Sequence, residues 1–102
     1  MKPVLIQAEA RQELEAGMAW YDEQTPGVGR RLQAEVELAV ARLQRNPDWC
    51  PPYKRTGFRK KIVNRFPYSV FFMELPDCLW VAAIANMHRR PDYWMNRRIE
   101  RE

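Results

Sequence analysis

The sequence predicts an α+β fold in the order β-α-α-β-β-β-α, with a helical hairpin packed on one face of a small, largely antiparallel sheet. Three observations predict it. Two early stretches, 8–24 and 28–46, repeat apolar residues at helical spacing. Three later runs, 58–63, 66–75 and 79–87, are rich in aromatic and β-branched residues. Breakers divide them: Thr25-Pro26-Gly27 between the helices, Asn46-Pro47 after the second, and Pro76-Asp77 between the last two strands.

Val4, Leu5 and Ile6 form a short apolar run before the helix-favouring residues 7–15, which suits one edge strand. Ala10, Leu14, Met18 and Tyr21 then share a stripe, with Glu9, Glu13 and Glu15 largely off it, so an amphipathic helix runs over 8–24. Val28, Leu32, Val36, Val40 and Leu43 mark the second helix. Residues 48–57, with Pro51-Pro52 and Gly57, read as an extended connection. Tyr68, Val70 and Phe72 point to one side of their strand and Phe71, Met73 and Leu75 to the other. The run 79–85 is also apolar on both sides, so both strands are central. A short helix from 92 to about 101 closes the chain, with Asp92 near its positive end, Arg97, Arg98 and Arg101 toward its negative end, and Trp94 anchoring it on the sheet. This order leaves the second face of the sheet open.

With 102 residues, 46% of them hydrophobic, the chain has material for one core, and a single domain over 1–102 is expected. No apolar run approaches the ~18 residues that cross a bilayer, and the amino terminus turns polar too early for a secretory signal. A cytoplasmic protein with no membrane partner is the expectation. Cys50 and Cys78 form no Cys-x-x-Cys pair and share the chain with one histidine, so reduced thiols and no metal are expected. Glycine-rich phosphate loops and nucleophile elbows are missing, which argues for no cofactor and against covalent catalysis. The net charge of +4 is unevenly placed: residues 1–48 balance at −2 and residues 49–102 at +6. A positive field in the second half suits a polyanionic partner, or simply a solvated surface.

Two constellations stand out in that half. Between Lys54 and Arg65, six basic side chains occur without an acid. If Phe58 and Ile62 face the core, Lys60 faces it too, while Arg59, Lys61 and Val63 share the other side. Lys60 then either snorkels from an edge strand or is re-aimed by a bulge near Arg59 and Lys60. An edge strand charged against aggregation explains part of the run. The second constellation is His88-Arg89-Arg90-Pro91-Asp92-Tyr93-Trp94, at the end of the last central strand. Arginine offers a planar fork to phosphate, histidine titrates near neutrality, and tyrosine donates a proton or stacks on a base. Target or nucleic-acid binding is therefore assigned to Arg59, Lys60, Lys61, Arg65, Arg89 and Arg90.

The segment Asn64-Arg65-Phe66-Pro67-Tyr68-Ser69-Val70-Phe71-Phe72, a hairpin, and then His88-Arg89-Arg90-Pro91-Asp92-Tyr93-Trp94 resembles the RelE/ParE toxin superfamily, notably its plasmid-stabilisation branch. Glu13-Leu14, Trp20-Tyr21, Glu35-Val36 and Asn46-Pro47 match in the first half, so the resemblance spans the chain. It implies the toxin of a type II toxin–antitoxin pair, a growth inhibitor held in a hetero-oligomer by a cognate antitoxin that wraps the helical hairpin and sheet. Two targets follow from it: DNA gyrase, bound without catalysis as in ParE-like members, or messenger RNA on the ribosome, cut as in RelE-like members. A third implication is an inactive homologue that only binds antitoxin. A nuclease would use His88 as base, Arg89 as phosphate clamp and Tyr93 as proton donor, with Lys61 and Lys60 beside them. Ribosome-dependent cleavers usually carry an arginine where this chain has Ser69, so gyrase is the expected target.

Overall fold

The computed structural model describes residues 1–100 and bears out the α+β architecture. Strand β1 (Val4–Ile6) leads into helices α1 (Ala8–Gln24) and α2 (Val28–Arg45), then a single 3-10 turn at Pro47–Trp49. Strands β2 (Arg59–Ile62), β3 (Tyr68–Glu74) and β4 (Leu79–Asn86) follow as a meander. The sheet order is β1-β4-β3-β2, with β1 parallel to β4 and the other pairs antiparallel. Both central strands are buried on their two sides, as their composition requires.

The hairpin turns sharply because Gly27 takes a left-handed φ of 93° and the Asp22 carboxylate accepts from the backbone N–H groups of Gly27 and Gly29, at 3.1 and 2.8 Å. The carboxylate thus serves the unpaired amide end of α2 from a neighbouring helix. Gly29 also lets the helices meet: a Cβ there would lie 2.4 Å from the Met18 carbonyl oxygen. The hairpin covers one sheet face with Leu32, Val36, Ala39 and Leu43 against Val70, Phe72, Val81 and Ile84.

Two expectations are corrected and, for Lys60, one of two alternatives is decided. The second face is not open. Phe58, Phe71, Trp80 and Trp94 form a second buried cluster there, covered by the 51–58 connection and the carboxyl-terminal segment. That segment is not a helix either: consecutive turns run over 91–96, with Asp92 at a left-handed φ of 64°. Arg101, where the helix was expected to end, lies outside the described residues. Finally, β2 pairs with β3 without interruption, and the bulge falls on β4, where Phe71 and Phe72 face Ala83 and Val81 and leave Ala82 over. Lys60 instead extends along the edge, its Nζ 6.0 Å from the Phe71 ring centre.

Candidate functional site

The strand β1 is short, and its pairing with β4 ends at Val81. Beyond that point the free edge of β4 turns to side chains for its hydrogen bonds. The Ile84 N–H donates to Glu13 Oε1 at 3.1 Å, and the Ala82 carbonyl accepts from Arg97 Nη1 at 2.9 Å. Glu13 and Arg97 are themselves paired through both carboxylate oxygens, at 2.9 and 3.1 Å. The side chain of Glu13 is 10% exposed, so the expectation that it lies off the buried stripe is corrected. It stands three residues after Ala10 and four before Gly17, both buried, which places it at the flank of the inward face.

Two of the expected catalytic residues meet at this carboxylate. The Tyr93 hydroxyl donates to Glu13 Oε2. The Arg89 guanidinium lies 3.9 Å from the centre of the Tyr93 ring, with Nη1 3.8 Å from Glu13 Oε2. Burial raises the Tyr93 pKa well above its ordinary value; the hydrogen bond to Glu13 and the carboxylate's charge raise it further, against Arg89 and Arg97. Burial opposes the charge on Arg97, but the contacts with Glu13 outweigh it, and the guanidinium is held above its ordinary range. His88 is exposed on the neighbouring turn, where its N–H donates to Asn86 Oδ1 at 2.8 Å. It opens with Arg89, Trp20, Tyr21 and Tyr68 onto a cleft of about 470 Å³.

The remaining basic residues disperse. Lys54 and Tyr53 reach the Asp92 carboxylate at 2.6 and 2.5 Å, tying the 51–58 connection to the tail. These hydrogen bonds, first Lys54 and then Tyr53, hold the Asp92 carboxyl below the ordinary carboxylate range. Arg59 donates to the Cys50 carbonyl at 2.6 Å. Arg65 turns toward Glu35, 3.7 Å away. Lys60 and Lys61 line a cleft with α2, and Arg90 is exposed beside the tail. The structure therefore brings Arg89 and Tyr93 together at Glu13, leaves His88 exposed on the adjoining turn and places Lys61 on a separate surface.

Neither a protein-family model nor a curated protein matches this sequence. This chain folds like a ParDE chain. The solved structure is described as a chromosomal ParDE TA system from P. aeruginosa, and the likeness has a TM-score of 0.78 over 86% of this chain and 98% of that one. The two chains are 19% identical, so the likeness concerns the fold.

On this ParDE-like fold, the chemistry open to the cluster is limited by Glu13. A nuclease site must attract a phosphodiester and stabilise added negative charge on it. Here the Glu13 carboxylate sits among the candidate residues and offsets part of the positive charge of Arg89 and Arg97. The Tyr93 hydroxyl is already committed to Glu13, and burial raises its pKa, both of which oppose its use as a proton donor. Glu13 and Arg97 were missing from the sequence-based site; the helical position of Glu13 was the available signal, whereas Arg97 had none in an irregular segment.

Proposed function

We propose that this chain is the toxin component of a type II toxin–antitoxin pair, a cytoplasmic growth inhibitor that acts on DNA gyrase by binding it and is neutralised by a cognate antitoxin protein. The ParDE-like fold supports the toxin–antitoxin part of this reading. The observation that carries the non-catalytic part is Glu13, which binds Tyr93 and Arg97 and faces Arg89. Ser69, buried at the start of β3, supplies no cation that could replace them. A groove of about 360 Å³ with Leu14, Met18, Val36 and Val40 in its lining and Arg11, Glu15 and Glu37 also lining it suits an amphipathic antitoxin segment.

The test adds purified protein to two assays. Gyrase supercoiling should be inhibited, while messenger RNA on programmed ribosomes should remain intact. Unchanged supercoiling together with cleaved RNA would reverse the assignment and return His88, Arg89 and Tyr93 to catalytic roles.

A further inference from the structure

The cleft between the end of α2 and strand β2 shares no residue with the Glu13 cluster. It has a volume of about 420 Å³ and is lined by Arg42, Arg45, Lys60 and Lys61, with Trp49 and Ile62 among its apolar residues and no acidic side chain. Among the described residues, none of these four cations forms an ion pair. Trp49 is 82% exposed, the most open large aromatic side chain of the molecule, and Ile62 is 65% exposed.

The position of Trp49 is fixed by its backbone. Its N–H donates to the Asn46 carbonyl at 3.0 Å, and the Cys50 N–H to that of Pro47 at 3.1 Å. Arg59 holds the Cys50 carbonyl, and the Lys60 N–H donates to Pro51 at 3.1 Å, so the turn is fastened to β2 through the two residues that follow Trp49. Structural roles account for the cations singly: Arg42 and Arg45 sit in the last turn of α2, where positive charge suits the helix dipole, and Lys60 and Lys61 guard an edge strand. They do not account for an indole held out in water between those cations.

We propose that this cleft binds single-stranded nucleic acid, with Trp49 stacking on a base and Arg42, Arg45, Lys60 and Lys61 holding the flanking phosphates. A cationic groove with an exposed aromatic platform is the arrangement that binds single strands without reading their sequence. An acidic peptide would meet the same cations and gain less from the indole. The proposal stands independently of the gyrase reading, since it depends only on the chemistry of the cleft.

Fluorescence anisotropy of labelled dT12 and U12 oligonucleotides with the whole protein tests it, and a preference between the two identifies DNA or RNA as the source. Binding should weaken steeply between about 50 and 200 mM salt. Trp49→Ala and the double variant Arg42→Ala, Arg45→Ala should each lower affinity by about tenfold or more, and Trp49→Phe should recover most of the loss. All of these side chains are exposed, and unchanged melting curves confirm that the variants fold. Three results would each overturn the proposal: no binding of either oligonucleotide at about 100 µM protein, unaltered binding by Trp49→Ala, or equal competition by a polyglutamate peptide.

Discussion

On one face of the sheet, two regular helices spread burial over medium-sized aliphatic side chains such as Leu32, Val36 and Leu43. On the other, an irregular tail and a loop do the covering, and they do it with rings: Trp94 stacks on Phe71 at 4.3 Å and meets Phe58 edge-on at 5.0 Å. A helix satisfies its own backbone and needs only apolar contact to stay docked. A strap without regular structure lacks that ladder, so it concentrates apolar area in a few large side chains and fastens the rest through polar ties. Glu13–Arg97 and Lys54–Asp92 are those ties, and both involve residues near the sequence that first looked functional.

The sharpest way to break this comparison is Trp94→Ala. Removing a fully buried indole should cost about 3–5 kcal/mol by urea denaturation. A loss below about 1 kcal/mol would mean that the helical face alone sustains the fold. Glu13→Gln comes next, at about 1–3 kcal/mol, since it leaves a largely buried guanidinium with Glu9 at 3.7 Å as its remaining charge partner and weakens the acceptor for the Ile84 amide. Faster hydrogen exchange at Ile84 than at Val70 in that variant would locate the damage on the free edge of β4. Asp92→Asn is the mildest change, because asparagine also tolerates the left-handed backbone.

The pH dependence of that last variant follows from the lowered Asp92 pKa. A carboxyl whose folded pKa is depressed stabilises the fold above its unfolded value, near about 3.9, and loses that contribution as pH falls through the folded value. Wild type should therefore exceed Asp92→Asn in stability at neutral pH, and the gap should shrink from about pH 4 downward. Thermal melts across that window check it, and a constant gap would mean that the tie to Lys54 is not electrostatic.

The helices and strands were legible because periodicity marks which side of an element is buried, and both helix spans agree with it closely. The tail was not legible. Trp94 is buried as its size suggested, but the backbone around it bends to bring Asp92 to Tyr53 and Lys54, partners some forty residues earlier. Local composition cannot reveal such a tie, so a helix was expected where turns form. Alternation likewise gave the facing of Lys60 and Phe58 without telling what would lie opposite them. The basic run of 54–65 looked like one site because its charges are adjacent in sequence, yet strand geometry and separate partners send Lys54, Arg59, Lys61 and Arg65 to different surroundings.

Gln7 extends the same lesson to the order in which the molecule is made. Its buried amide accepts from Trp80 Nε1 at 3.0 Å and donates to the Arg98 carbonyl at 2.9 Å, groups 73 and 91 residues further along the chain. During synthesis β1 and Gln7 wait for their partners until β4 and the segment that follows it have been added. Contacts of such long sequence separation form late and slowly. The helical hairpin, whose contacts are local, can assemble first with its apolar face uncovered, and the sheet closes once β4 is present to pair with β1.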